Sequence, residues 1–217
     1  MRPMITARNL GADVTAGKDN NGKEGQPAEN KDWNLLHSAA KGGDVSIIEM
    51  MLSDGIEVNS KDSFGTTPLM IAATECKNQA VDFLLFKGAD PSLTTNTGRN
   101  SLHAAVEGGD VSIVETMLLH NIPLDSSDND GITSLMIAAA LNDFDTVEFL
   151  LSKGADPFSK TNEGRTALFY TAQGGHTGVV EGLDKLRASE SCESRESSGT
   201  FRTRTRRWRR SLKRHRK

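Results

Sequence analysis

The stretch Leu69-Met70-Ile71-Ala72-Ala73 decides the fold, because versions of it recur every 33 residues along the chain. The other four copies are Leu36-His37-Ser38-Ala39-Ala40, Leu102-His103-Ala104-Ala105-Val106, Leu135-Met136-Ile137-Ala138-Ala139 and Leu168-Phe169-Tyr170-Thr171-Ala172. A fixed period in the range of about 20–50 residues indicates a stacked repeat array. Units of such an array pack on their neighbours and expose a long modular surface rather than a catalytic pocket.

Each copy is predicted to be a turn followed by two short helices. Gly65 supplies the positive φ of the turn, and Thr67-Pro68 is a favourable start for the first helix. The second helix carries apolar residues at i, i+3 and i+4, as in Val81, Leu84 and Leu85. It should end in a left-handed residue, for which the matching positions hold Gly55, Gly88, Asn121 and Gly154.

These residues resemble the ankyrin repeat. The resemblance rests on Gly65 to Ala73 followed by Ala80 to Pro91, on Ser101 to Ala105, and on Gly154 to Pro157. It covers about residues 32–186. It implies an all-α fold, an ankyrin-repeat solenoid of helix–turn–helix units with hairpin loops projecting from one edge.

Four segments are predicted along the chain. Residues 1–31 lack apolar periodicity, which favours disorder. Residues 32–186 hold five repeats, the last of them atypical because Gly182 and Asp184 replace the equivalents of Phe149 and Leu151. The second helix of that repeat is therefore either a polar cap or a frayed end. Residues 187–200 form a Ser/Glu/Arg linker, and residues 201–217 form a basic tail.

The net charge of −3 conceals a separation of charge. The tail holds ten Lys or Arg and no acid, whereas the first 200 residues hold 16 basic and 29 acidic side chains. The sequence favours an intracellular protein of the cytoplasm, the nucleus or both. It has only two cysteines, no apolar run long enough to cross a bilayer and no secretory signal. Arg2 and Arg8, with no acid before Asp13, weakly resemble a transit peptide.

No chemistry-bearing constellation is recognisable, so no catalytic, cofactor-binding or metal-ligating residues are predicted. Neither His-Glu-x-x-His nor Cys-x-x-Cys occurs. The resemblance implies that His37 and His103, at one repeat position, hydrogen-bond a neighbouring turn. Cys76 is expected near the surface as an unreactive thiol.

Positions that vary between copies predict where a partner protein docks. They lie at the turn tips and on the exposed edge of the first helices, a concave strip in ankyrin-like proteins. The tips include Asn96, Asn129 and Asn162. The strip is assigned to Phe64, Thr66, Thr74, Glu75, Arg99, Glu107, Ile132, Leu141, Arg165 and Gln173. Phe64, Ile132 and Leu141 are apolar where exposure is expected, and either anchor a partner or pack against the next repeat.

The tail supports an alternative function in which the array is a spacer. Its candidate residues are Arg206, Arg207, Trp208, Arg209, Arg210, Lys213 and Arg214. They suit nucleic acid, an acidic membrane or an import receptor. A solubilising end, contact with the acidic body of the same chain, and an altered reading-frame or splice ending are the other interpretations. The preferred function is a monomeric scaffold or adaptor that binds another protein and has no small-molecule substrate.

Overall fold

A computed structural model describes residues 33–176, and nine helices lie within that range. In chain order they are α1 (Leu35–Gly42), α2 (Val45–Ser53), α3 (Pro68–Thr74), α4 (Asn78–Phe86), α5 (Ser101–Gly108), α6 (Val111–Leu119), α7 (Ser134–Ala140), α8 (Phe144–Lys153) and α9 (Ala167–Gln173). Odd-numbered helices stack on one another, even-numbered helices do the same, and each odd helix packs on the even helix that follows. The expected helix–turn–helix solenoid is confirmed.

Helix ends follow the sequence signals. The Thr67 hydroxyl accepts a hydrogen bond from the Met70 amide at 3.3 Å, and Pro68 occupies the first turn. The four residues expected to be left-handed after the even helices all have positive φ, including Asn121 at +62°. Asparagine tolerates this conformation better than other residues with a Cβ, which explains its place in a glycine position.

Hairpin turns project between an even helix and the next odd helix. One oxygen of Asp62 accepts the amides of Phe64 and Thr66, and one oxygen of Asp128 accepts the amides of Asp130 and Ile132. Thr95 and Thr161 stand at the same repeat position and accept the amide four residues on. These side-chain bonds close each turn and fix where its tip lies.

The core is a continuous line of the repeated leucines. Leu36, Leu69, Leu102 and Leu135 are each at most 1% exposed. Alanines such as Ala72, Ala105 and Ala138 lie between them at 0% exposure and allow the inner helices to approach closely. Among the described residues, no helix has the length and apolar character to cross a bilayer. The 1–31, 187–200 and 201–217 segments and the second helix of the fifth repeat, with Gly182 and Asp184, lie outside the described residues.

Candidate functional site

The candidate surface, here called the strip, combines turn tips with the solvent-facing edge of the odd helices. Phe64, Thr97, Asp130 and Glu163 occupy one tip position, and all four are exposed. Lys41, Thr74, Glu107 and Gln173 occupy one position near the ends of the odd helices and are also exposed. The 33-residue period therefore gives the strip a regular grid of exposed positions.

Of the three apolar residues singled out from the sequence, only Phe64 is highly exposed, at 51%. Ile132 is 2% exposed and belongs to the core, while Leu141 is half-buried and packs against it. The expected exposure of Ile132 is wrong, because its turn folds the side chain inward while Asp128 holds its amide. Ile132 packs within the array, which is the alternative that the sequence left open.

Three tip asparagines that the sequence suggested were variable contacts are structural instead. Each side-chain amide donates to a backbone carbonyl one turn back: Asn96 to Ser63 at 3.0 Å, Asn129 to Asn96 at 3.0 Å, and Asn162 to Asn129 at 2.8 Å. Backbone amides of the same asparagines donate to the preceding turn as well. This asparagine ladder ties the tips together, and the recurrence of Asn in three copies was a sequence signal of that role.

Arg99 joins two carboxylates at the centre of the strip. Its Nε lies 3.2 Å from Oδ2 of Asp128, and its Nη1 pairs with Oε1 of Glu107. The Asp128 side chain is only 2% exposed and that of Arg99 16%, whereas Glu107 keeps a third of its side-chain surface. Desolvation raises the pKa of Glu107 and Arg99 opposes that rise. Because two carboxylates hold the one guanidinium, Arg99 is a fixed, paired cation, and the ionised cluster of three carries one net negative charge.

Other charged members of the strip are paired at the surface. Lys41 lies 3.8 Å from Glu75, and Arg165 lies 2.6 Å from Glu163 while its guanidinium covers the Phe169 ring at 5.1 Å. The Thr74 hydroxyl donates to the carbonyl of Ala104 at 3.3 Å. Thr66 is half-buried, and Gln173 is exposed. The described surface thus offers Phe64 as an exposed apolar side chain within a largely self-paired polar strip.

Comparison with known families identifies the repeat. The family described as Ankyrin repeats (3 copies) matches residues 9–95 and 70–161, which together span well over half of the chain. The chain belongs to the ankyrin-repeat family. The first match begins at residue 9, ahead of the array boundary near residue 32 that the sequence periodicity suggested.

Curated proteins share this ankyrin-repeat region over short spans. The chain is 35% identical over 85 residues to ADP-ribosylation factor GTPase-activating protein AGD2 of Arabidopsis thaliana, covering 39% of this chain and 11% of that protein. It is 32% identical over 103 residues to Transient receptor potential cation channel subfamily A member 1 of Homo sapiens, covering 46% and 9%. It is 44% identical over 64 residues to the Mitochondrial disaggregase of Homo sapiens, covering 30% and 9%.

The chain therefore spans about a tenth of the length of these relatives. Ankyrin repeats are generic protein-interaction modules and typically non-enzymatic, and the likeness is confined to the repeats. Within residues 33–176, no group of three or more His, Cys, Asp or Glu side chains could hold a metal ion. The seven tail residues assigned from the sequence lie outside the described range.

The two repeat histidines connect adjacent ankyrin repeats, as the resemblance implied. Nε2 of His37 lies 3.2 Å from the carbonyl oxygen of Thr66, and Nε2 of His103 lies 3.2 Å from that of Ile132. Both residues are 0% exposed. Burial lowers the pKa of each imidazole below its usual 6.5, and the hydrogen bond to the carbonyl partly offsets that effect. The neutral imidazole is the form that the folded array holds.

The array is expected to lose stability as the pH falls from about 7 through 6.5 and on toward the lowered pKa values of the folded state. The folded pKa values are depressed, so the unfolded chain binds more protons in this window, and acidification favours unfolding. The slope of the unfolding free energy should approach about 1.4 kcal/mol per pH unit for each histidine. Urea unfolding at closely spaced pH values measures it. Equal slopes for the natural chain and the His37→Gln/His103→Gln variant would contradict this assignment.

Two further apolar residues, which the sequence-based strip did not include, are exposed on the even helices of the ankyrin array. Phe86 is 81% exposed and Leu119 is 75% exposed, at equivalent positions at the ends of α4 and α6. The matching residues in the neighbouring copies are Ser53 and Ser152. The replacement of serine by apolar residues in the two central copies was visible in the sequence, but the position lies on the even helices, outside the strip.

Proposed function

We propose that this chain is a non-catalytic scaffold or adaptor that binds another protein through the strip, with Phe64 as the apolar anchor. The main support for this proposal is that Phe64 is 51% exposed at a tip position. The other copies hold Thr97, Asp130 and Glu163 there. An exposed aromatic residue surrounded by polar groups is the usual composition of an interface hot spot. Ankyrin repeats are protein-interaction modules in general, which supports the coarser part of this proposal.

The polar surroundings suit specificity more than affinity. Arg99, Arg165 and Lys41 are already paired with carboxylates, so a partner gains little from new ion pairs with them. A partner with an apolar pocket for Phe64 and neutral hydrogen-bonding groups opposite Thr74 and Gln173 fits these groups best. In this role the protein acts inside the cell as a monomer.

Replacing Phe64 with serine should weaken partner binding about thirtyfold, since truncating an aromatic hot spot typically costs about 2 kcal/mol. Capture from the native cell with the natural chain and with Phe64→Ser identifies the proteins that depend on this residue. Titration of the purified protein then gives the change in Kd. The melting temperature should stay nearly constant, because the side chain is exposed.

Phe86→Ser is the matched control, because it removes an aromatic residue of 81% exposure outside the strip. A protein bound through Phe64 should be lost with Phe64→Ser and retained with Phe86→Ser. Proteins lost with both variants, or retained with both, are not assigned to Phe64. An identical set of captured proteins for the natural chain and Phe64→Ser would overturn the proposal.

The basic tail supports the second candidate, in which the array is a spacer. The supporting observation is the charge separation, with ten Lys or Arg in residues 201–217 against an acidic remainder. A chain lacking residues 201–217 belongs in the same capture and in a gel-shift series with nucleic acid at several salt concentrations. Tail-dependent, salt-sensitive shifts favour this candidate, because binding through phosphate contacts weakens steeply with salt.

A further inference from the structure

The first described repeat exposes apolar side chains at the end of the stack. Leu35 is 66% exposed, Ile47 is 42% exposed and Met50 is 53% exposed. They lie on α1 and α2 and form what is here called the end face, beside Trp33 at 36%. Apolar groups of this size rarely remain clustered in water on a soluble domain.

Two of these positions, those of Leu35 and Ile47, are buried in the later repeats. Ile47 corresponds to Ala80, Ile113 and Thr146, which are 0%, 1% and 0% exposed. Leu35 corresponds to Pro68, Ser101, Ser134 and Ala167, all of which are buried. In each of those copies a preceding repeat packs against the helix that carries the position, so the end face has the form of a contact surface between repeats.

A segment at the start of the chain carries the sequence of such a preceding unit. Gly11-Ala12-Asp13 is identical to Gly88-Ala89-Asp90 and to Gly154-Ala155-Asp156, which follow the second helix of two other repeats. The family match also begins at residue 9. In this register Met4, Ala7 and Ala12 take the positions of Val81, Leu84 and Ala89, which are 1%, 0% and 6% exposed.

We propose that residues 3–13 supply the second half of a preceding ankyrin repeat and cover the end face through Met4 and Ala7. The connection from Gly11 to Leu36 is eleven residues longer than the one from Gly88 to Leu102. An insertion of that length adds little to the entropy of closing a loop. The polar residues between Ala16 and Asn30 match a solvent-facing connection of this kind.

Amide hydrogen exchange of the full chain tests this cover. The variant Met4→Asp/Ala7→Asp places two charges in the proposed contact, whereas Val14→Asp/Ala16→Asp adds the same charge just beyond it. Exchange within α2 should accelerate about tenfold or more in the first variant, because local opening there no longer breaks the contact. In the second variant it should change less than about twofold. In the natural chain, amides of residues 4–10 should exchange more slowly than those of residues 17–30.

Three results would overturn the proposal. Exchange of residues 4–10 at the rate of residues 17–30 means that the segment is not held against the array. Equal effects of the two double variants mean that added charge alone loosens α2. A molar mass by light scattering that falls from dimer to monomer with Leu35→Asp means that a second copy covers the end face.

Discussion

Replacing Gly98 with alanine is expected to lower the free energy of unfolding by about 3 kcal/mol or more, through backbone strain and steric overlap together. Gly98 has φ +83°, and a Cβ there would overlap Oδ1 of Asn129 and lie 2.9 Å from its backbone nitrogen. The overlap falls on the asparagine ladder, so relief requires the next turn to move. Thermal or urea unfolding measures the loss, which corresponds to roughly 6–12 °C in Tm for a chain of this size.

Gly164→Ala separates the two causes. Gly164 occupies the same turn position with φ +79°, yet a Cβ there would meet nothing within 4 Å. It should cost only the left-handed strain, about 1–2 kcal/mol. The difference between the two variants is then the overlap with Asn129. A loss for Gly164→Ala as large as that for Gly98→Ala would show that the ladder contact is unimportant.

Arg99→Met should also destabilise the array strongly, by about 2–4 kcal/mol, because it leaves the buried carboxylate of Asp128 without its cation. Methionine keeps most of the aliphatic volume, so the variant tests the charge rather than packing. Asp128→Asn in the same background should recover part of the loss. An amide oxygen still accepts the Asp130 and Ile132 amides but carries no charge.

Arg165→Met is the matched control at the equivalent repeat position. Its partner Glu163 is 65% exposed, and an exposed pair contributes about 1 kcal/mol or less. Urea unfolding of the three variants and the natural chain gives the comparison. Equal losses for Arg99→Met and Arg165→Met would contradict the role assigned to burial of Asp128.

The sequence predicted the fold because one short pattern repeats without a slip. Leu36, Leu69, Leu102 and Leu135 fix the register, and glycine, asparagine and Thr-Pro positions fix where helices start and stop. The family resemblance predicted the hydrogen bonds of His37 and His103 to the neighbouring turn. Both residues stand at the same repeat position, so each meets the equivalent backbone carbonyl of the next repeat.

The candidate surface was less accessible to sequence reasoning, because exposure depends on how each turn is closed. Ile132 resembles Phe64 in character, but the turn held by Asp128 directs it into the core. The pairing of Arg99 with Asp128 joins residues 29 apart in adjacent turns, and no local pattern reports it. Leu35 and Ile47 are exposed although the same positions are buried in later copies. A repeat pattern derived from all copies together does not show this difference.

The asparagine ladder also makes the two edges of the array, the turn tips and the even helices, respond differently to salt. Neutral hydrogen bonds of 2.8–3.0 Å connect the tips, whereas exposed ion pairs such as Lys87 with Glu49 and Lys153 with Glu115 connect the even helices. Added salt screens the ion pairs but not the amide bonds. Salt should therefore loosen the contacts at the ion-paired edge before those at the tip edge, and a partner bound at the tips would meet contacts spaced at a constant interval of one repeat.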